Sequence, residues 1–243
     1  MLRDCAPTGG VAPSPPLAPA GVTFVSSGED ETGLLAQLLV QVSNPGDVIC
    51  LYGQVGAGKS VFSRAFIRAV AADANLVVPS PTFLLQQVYE DHPGTPVHHF
   101  DLYRLTGPTE NFERLGMEES YKTAISLIEW PECLGNNLPE EHLDIHIDMA
   151  PSQPGDQVIS VSELAQLLQN SEPVLESSSR LPTATSSRQV ADISDDDSDE
   201  DDLEEDAATD ETYSDKRPRR FVLNPQGQSW ARRLEKLLGR KQS

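Results

Sequence analysis

The feature that most constrains the fold of this chain is a glycine-rich segment, residues 53–60, with the sequence GQVGAGKS. Its form is G-x-x-x-x-G-K-S, in which the glycines let the backbone curve around an anion and point successive N–H groups inward. The lysine of such a loop reaches the β- and γ-phosphates, and the final hydroxyl ligates Mg²⁺. The segment therefore predicts a phosphate-binding loop. Its predicted nucleotide-contacting residues are Gly53, Gly56, Ala57, Gly58, Lys59 and Ser60.

The residues around the loop have the strand-loop-helix pattern that such a site requires. Residues 48–52 form an unbroken apolar run of strand length, which the turn at residues 44–46 precedes. After the loop, Phe62, Phe66 and Val70 recur at helical spacing. A helix beginning at the loop adds partial positive charge where phosphates bind. This context favours a nucleotide site over a glycine-rich turn with an unrelated Lys-Ser pair.

Strand-like and helix-like segments alternate through residues 22–170, which we interpret as one P-loop domain. A helix is predicted up to residue 42, behind a capping box at residues 27–30. The expected fold class is α/β: a three-layer P-loop NTPase-like domain with a mainly parallel sheet. Apart from the strand before the loop, the predicted strands lie at residues 84–89, 97–100, 123–128, 143–148 and 158–161.

The two ends of the chain differ in composition from this domain. Residues 1–21 are rich in Ala, Pro and Gly and predict a disordered leader, with an organelle transit peptide as the alternative. Residues 171–228 predict a disordered acidic linker, because fourteen acids and no base occur between residues 192 and 215. Residues 229–240 predict a basic amphipathic helix. That helix either meets RNA, lipid or a partner, or folds back on the acidic parts of the chain.

Charge and cysteine usage limit the classes of partner and compartment. The net charge is −20, and residues 22–170 hold twenty acids against six bases. A domain this negative is unsuited to bind RNA or anionic lipid directly. The three cysteines are widely spaced and form no C-x-x-C pair, which indicates a reducing compartment and no zinc site. We expect a cytoplasmic protein, with a plastid or mitochondrion as the alternative.

Two carboxylates follow predicted strands and are candidates for the chemistry. Phosphoryl transfer needs Mg²⁺, which prefers hard oxygen ligands. Asp101 follows the strand at residues 97–100, and Glu129 follows the strand that ends at residue 128. In one assignment Glu129 holds Mg²⁺ with Ser60, while Asp101 orients or deprotonates the attacking water; which of the two is the main metal ligand stays open. Their alternative role is as ordinary solvated turn residues.

Thr82 is a third candidate, because it lies in the rigid segment PSPTF at residues 79–83. A threonine held in such a segment can sense a γ-phosphate, as switch threonines do. It can equally satisfy its own backbone in a local turn. The sequence leaves both alternatives open.

Four motifs now point to one family. The segments LYGQVGAGKS (51–60), SPTF (80–83), HFDLYRL (99–105) and IEWPE (128–132) together closely resemble the TsaE (YjeE) family, small P-loop ATPases of tRNA threonylcarbamoyladenosine biosynthesis. The resemblance implies a protein that binds ATP and Mg²⁺, hydrolyses ATP slowly and acts on a protein partner. That partner is a TsaD-like protein with a TsaB-like protein, which together modify tRNA. Contact with tRNA is then indirect, and no membrane is involved.

The resemblance also implies roles for individual residues, although this sequence departs from the usual family motif at two places. The family often has Asp-Leu where Gln54 and Val55 stand, and Thr where Ser60 stands. A serine hydroxyl still ligates Mg²⁺, so these departures bear on hydrolysis rate and nucleotide preference. The implied roles are phosphate and metal binding for Lys59 and Ser60, Mg²⁺ binding for Glu129, a hydrolytic switch for Asp101 and Thr82, and a position beside the nucleotide for Trp130.

Two other functions compete with this interpretation. A P-loop kinase for a small molecule usually carries an arginine-bearing lid, whereas residues 22–170 contain only four scattered arginines. A non-catalytic module would use ATP only to order a docking surface. Phosphate release, with and without a TsaD–TsaB pair, distinguishes that module from an ATPase.

Overall fold

Strands and helices alternate along the first part of the chain. The computed structural model describes residues 21–105, 115–149, 158–159, 166, 169 and 217–239. The strands are β1 (Val22–Ser26), β2 (Val48–Tyr52), β3 (Gln86–Tyr89), β4 (Val97–Asp101), β5 (Ile125–Glu129), β6 (His142–Asp148), β7 (Val158–Ile159) and β8 (Arg219–Gln226). The helices are α1 (Glu29–Val42), α2 (Lys59–Ala71), α3 (Met117–Thr123) and α4 (Gln228–Leu237), with a kinked 3₁₀ segment at Pro131–Asn137.

The strands form one eight-stranded sheet in the order β3-β4-β5-β2-β6-β8-β1-β7. The pairs β4/β5, β5/β2, β2/β6 and β1/β7 are parallel, and the other three pairs are antiparallel. The predicted α/β fold with a mainly parallel sheet is therefore confirmed. Because β4, β5 and β2 are parallel neighbours, their carboxyl ends meet at one edge of the sheet, where the predicted phosphate-binding loop begins.

The sheet has a core on each face, which gives the three predicted layers. Alternate residues of a strand point to opposite faces. On β2, Ile49 and Leu51 join the larger core cluster with residues of α1, α2 and α4. Cys50 joins the smaller cluster on the other face, with Met117 of α3 and Leu134 of the 3₁₀ segment. Both faces of the central strand are thus buried, as its unbroken apolar run indicates.

The C-terminal segment corrects the predicted domain boundaries. The acidic linker was predicted to extend to residue 228, but β8 lies within the sheet, between β6 and β1. Phe221 and Leu223 alternate along β8 and are buried, and the ring of Phe221 lies 6.0 Å from Phe24 and 6.1 Å from Phe62. Backbone pairing on both sides and this apolar contact outweigh the acidic composition of the preceding residues. Composition alone missed a strand of this length.

The helix predicted at residues 229–240 is α4, and it folds back on the acidic domain. Trp230 and Leu234 are buried in the larger core. The two terminal nitrogens of Arg233 donate to the two carboxylate oxygens of Asp47 at 2.5 and 2.7 Å, and its guanidinium lies 4.0 Å from the ring centroid of Trp230. Paired hydrogen bonds of this kind are among the stronger polar contacts in proteins. Part of the basic face of α4 therefore contacts an acidic residue of the same chain.

Two predicted segments lie outside the described residues. These are the leader, apart from Gly21, and the acidic linker up to residue 216. Within the part of the chain that the structure describes, no helix has both the length and the apolar character needed to cross a membrane.

Candidate nucleotide-binding site

The glycine-rich segment forms a tight loop between the end of β2 and the start of α2. Gly53 has φ 150°, and a Cβ there would lie 2.5 Å from the carbonyl oxygen of Ile147. Gly58 has φ 109° and precedes the first residue of α2. Residues with a side chain rarely adopt such φ values, so glycine is needed at both positions. The loop thus places the backbone N–H groups at the N-terminus of α2 beside the carboxyl edge of the sheet.

Lys59 extends back into the loop that precedes it. Its ammonium donates to the carbonyl oxygens of Gly53 and Gln54 at 2.6 and 2.9 Å, and it lies 3.8 Å from the ring centroid of Trp130. Burial lowers the pKa of Lys59, while nearby carboxylates, Glu129 first among them, act in the opposite direction. The cation is therefore held at the place where the loop is predicted to receive phosphates.

Glu129 is the best-buried acid of the site, with 1% of its surface exposed. Its carboxylate accepts hydrogen bonds from the hydroxyls of Ser60 and Ser63 and from Nε2 of His99, each at 2.9 Å. Burial raises the pKa of Glu129, but the His99, Ser63 and Ser60 contacts together outweigh burial and leave that pKa below its usual value. The side chain is thus ionised at neutral pH and fixed beside Ser60.

Asp101 lies next to Glu129 across the sheet. The two residues are register partners on the parallel strands β4 and β5. The Asp101 carboxylate is buried and accepts hydrogen bonds from the Thr82 hydroxyl at 2.5 Å, the Ser80 hydroxyl at 3.4 Å and the Tyr103 N–H at 3.0 Å. Neither acid is therefore a solvated turn residue, which was the alternative for both.

Thr82 lies in a local turn, which is one of the two alternatives that the sequence left open. The N–H groups of Leu84 and Leu85 donate to the carbonyl oxygen of Pro81 at 2.9 and 2.7 Å, and Leu85 has φ 65°. This turn explains why β3 begins at residue 86 instead of the predicted residue 84. The Thr82 hydroxyl contacts Ser80 at 2.8 Å and Asp101 at 2.5 Å, so it joins a side-chain network as well as a local turn.

Trp130 follows β5 and contacts the loop through Lys59. Its backbone has φ 61°, an unusual value for a residue other than glycine. The indole ring lies against Tyr103, with 4.9 Å between the ring centroids, and against the Lys59 ammonium. All the side chains predicted to form the site, namely Lys59, Ser60, Thr82, Asp101, Glu129 and Trp130, therefore lie in one connected cluster; their roles stay predictions.

Three further residues of the cluster were not selected from the sequence. Ser63 follows Ser60 by three positions on α2, and His99 precedes Asp101 by two on β4, so helical and strand periodicity place each beside a predicted site residue. Arg219 of β8 donates from Nε to the Ala57 carbonyl oxygen at 2.9 Å. No local pattern links residue 219 to the loop, because the strand pairing that brings it there joins distant parts of the chain.

The oxygen atoms of the site fit Mg²⁺ in the presence of phosphate. Among the described residues, no group of three or more His, Cys, Asp and Glu could hold a metal ion. Mg²⁺ in nucleotide sites is usually bound through one or two carboxylates together with substrate phosphates. The ionised Glu129 carboxylate and the Ser60 hydroxyl, 2.9 Å apart, are a donor set of this kind.

Comparison with known proteins identifies relatives over the same part of the chain. The family model described as "Threonylcarbamoyl adenosine biosynthesis protein TsaE" matches residues 26–157. The chain is 38% identical to the tRNA threonylcarbamoyladenosine biosynthesis protein TsaE of Rickettsia felis over 126 residues, which cover 52% of this chain and 72% of that protein. It is 34% identical to the Bacillus subtilis protein of the same name over 122 residues, covering 50% and 73% of the two chains.

The fold also resembles a solved structure. The crystal structure of YdiB from Bacillus subtilis matches with a TM-score of 0.53 over 89% of this chain and 93% of that chain. At 19% sequence identity this likeness shows a shared fold. The family model covers more than half of the chain and includes the loop and both carboxylates. The chain therefore belongs to the TsaE family of nucleotide-binding proteins of tRNA threonylcarbamoyladenosine biosynthesis.

Proposed function

We propose that this protein binds ATP with Mg²⁺ and hydrolyses the ATP, as a subunit that acts on a TsaD–TsaB type partner in tRNA modification. One observation carries the proposal: two buried carboxylates, Asp101 and Glu129, lie side by side next to the phosphate loop. Burying a charge costs free energy unless the charge is well paired. A loop that only reversed the chain direction would not need two such acids beside Lys59 and Ser60.

The loop amides and Lys59 hold the phosphates in this proposal. Phosphate oxygens carry charge and are stronger acceptors for an ammonium than the neutral carbonyls of Gly53 and Gln54, which Lys59 contacts here. Lys59→Ala is expected to abolish ATP binding in titration calorimetry. Lys122→Ala removes an exposed lysine of α3 and serves as the matched control, with unchanged affinity expected. Near-normal ATP affinity of the Lys59 variant would contradict this use of the loop.

Ser60 and Glu129 would hold the metal ion. When bound, Mg²⁺ neutralises charge on the phosphate oxygens and so supports phosphoryl transfer. The hydrogen bonds from Ser63 and His99 orient the Glu129 carboxylate and keep it ionised, as a Mg²⁺ ligand has to be. Serine in place of threonine at position 60 keeps the hydroxyl ligand.

Asp101 is the proposed residue that orients the attacking water and accepts its proton. The Thr82 hydroxyl donates to the same carboxylate, so a movement of Thr82 changes the setting of Asp101. This link supports the proposed switch role of Thr82. Phosphate release, measured with and without a TsaD–TsaB pair, tests hydrolysis. If the protein binds MgATP but releases no phosphate in either condition, it is a non-catalytic binding module.

The partner assignment comes from the resemblance to the TsaE family, and the charge of the domain agrees with it. Residues 22–170 hold twenty acids and six bases, and residues 217–239, which belong to the same sheet and core, add one acid and six bases. The combined excess of acids still disfavours direct tRNA binding, so a protein partner has to hold the tRNA. A pull-down in ATP and Mg²⁺ is expected to recover a TsaD-like protein.

Three assignments remain proposals from composition. We propose a cytoplasmic location, which the small number and wide spacing of the cysteines support. The leader at residues 1–21 and the acidic linker at residues 171–216 are proposed to be disordered because they lack the apolar residues that a core needs. Limited proteolysis is expected to cleave within these two segments first.

A further inference from the structure

The C-terminal strand reaches the phosphate loop through one side chain. We propose that Arg219, at the start of β8, is a positioning residue that holds the loop in its anion-binding conformation. The inference deepens the proposed function and rests on the use of the loop for ATP phosphates. It adds to the nucleotide site a residue that lies beyond the range matched by the family model, residues 26–157.

Arg219 contacts the loop through a buried hydrogen bond. Its Nε donates to the Ala57 carbonyl oxygen at 2.9 Å, and its Nη1 donates to the Arg217 carbonyl oxygen at 2.6 Å. Only 9% of the residue is exposed. The same Nε atom lies 3.7 Å from the position that a Cβ on Gly58 would occupy. The guanidinium is thus packed against the last two residues before α2.

This contact fixes the direction of one amide of the predicted phosphate-binding loop. The peptide unit between Ala57 and Gly58 is planar and trans, so its carbonyl oxygen and its N–H point in opposite directions. When Arg219 holds the Ala57 carbonyl towards β8, the Gly58 N–H is turned away from β8. A phosphate-binding loop works by pointing such N–H groups at the anion. Gly58 itself, with φ 109°, has little intrinsic preference for this conformation.

The geometry of arginine suits this role. Its guanidinium is planar and presents donors in a rigid fork, so one side chain can hold two carbonyl groups at set positions. Hydrogen bonds from a charged donor are roughly twice as strong as neutral ones. The positive charge also lies beside the loop that is proposed to bind ATP. A neutral side chain at this position would supply neither the fork nor the charge.

The sheet holds Arg219 in place. Residue 219 pairs with Ser26 of β1, and residue 220 pairs with Asp148 of β6, so the beginning of β8 is bound on both sides. The ion pair between Arg220 and Asp148, at 3.5 Å and with the Asp148 side chain 55% exposed, adds little to this backbone pairing. The position of the loop is thereby coupled to the C-terminal segment, although the two are far apart in sequence.

Titration calorimetry with ATP and Mg²⁺ tests the proposal on the full chain. Arg219→Ala is expected to weaken ATP binding by about tenfold, equivalent to about 1.4 kcal/mol, because the Gly58 amide is no longer set for the phosphate. Arg220→Ala is the matched control, since it removes the neighbouring arginine without touching the loop, and its affinity is expected to match the wild type. Equal affinities for Arg219→Ala and the wild type would overturn the proposal.

Hydrogen exchange of the loop in the nucleotide-free protein provides a readout that does not depend on ATP. Faster exchange in the peptide covering residues 53–60 is expected for Arg219→Ala but not for Arg220→Ala. Unchanged exchange there would also overturn the proposal. If the wild type fails to bind ATP, the proposed function fails, and this exchange measurement still decides whether Arg219 positions the loop.

A second substitution covers the case in which Arg219→Ala does not fold. Arg219→Lys keeps the charge but loses the planar fork, so we expect this variant to fold. Its ATP affinity is expected to be weaker than that of the wild type, but by less than about tenfold. Wild-type affinity together with wild-type loop exchange in Arg219→Lys would then count against the positioning role.

Discussion

Removing the C-terminal segment tests the part of the fold for which composition gave the wrong prediction, because β8 lies where a disordered linker was predicted. A chain ending at residue 216 lacks β8 and α4, and with them four buried apolar side chains: Phe221, Leu223, Trp230 and Leu234. Burying one large apolar side chain contributes about 1.5–3 kcal/mol, so the four together contribute about 6–12 kcal/mol. Domains are usually stable by only about 5–15 kcal/mol. We therefore expect this truncated chain to lose its cooperative fold.

The loss has a second cause within the sheet. β8 pairs with β6 on one side and β1 on the other, so its removal leaves two unpaired strand edges inside the sheet. Such edges promote aggregation. Urea unfolding followed by circular dichroism, together with size-exclusion chromatography, measures both effects. The control is a chain ending at Gly239, which keeps every described residue and is expected to unfold as the full chain does.

One result would refute this reasoning. If the chain ending at residue 216 unfolds cooperatively at the same urea concentration as the control and still binds ATP, the C-terminal segment is dispensable. A disordered tail, as composition alone predicts, would give that outcome. The Arg219 contact with Ala57 would then be unnecessary for the loop as well.

Three further predictions concern single side chains. Asp101→Asn is expected to keep ATP binding and lower hydrolysis by about a hundredfold or more, measured as phosphate release; retained hydrolysis would reassign the base. Arg233→Met leaves the Asp47 carboxylate without its paired donors and is expected to destabilise the fold by about 2–3 kcal/mol in urea unfolding. Burial lowers the pKa of His142, but contact with Asp144 outweighs burial and raises that pKa overall. Protonated His142 therefore stabilises the fold below about pH 6.5, and this stabilisation, absent in His142→Gln, is lost as pH rises through the folded-state pKa.

Local sequence patterns were sufficient for the centre of the fold and much of the candidate site. The apolar run of β2, the glycines of the loop and the spacing of Phe62 and Phe66 each act over a few residues. Asp101 and Glu129 could be selected because they end predicted strands. Parallel pairing of β4 with β5 then brings them together.

Other features depend on contacts that no local pattern contains. β8 lies between two strands from the first part of the chain, and its short alternation of Phe221 and Leu223 follows a long acidic stretch. Arg219 reaches the loop only because that pairing exists. In both cases tertiary contacts override a local preference. The start of β3 differs for a local reason, because the turn at Pro81 to Leu85 takes up the first two residues of the predicted strand.

The Mg²⁺ dependence of ATP affinity is the most direct test of the account, which places a metal ligand at Glu129 beside the phosphate loop. Calorimetry of ATP binding with Mg²⁺ and with a chelator compares the wild type with Glu129→Gln, which keeps an acceptor for Ser63 and His99. We predict that Mg²⁺ tightens ATP binding to the wild type by about tenfold or more and has little effect on the variant. An equal gain from Mg²⁺ in both proteins would contradict the account.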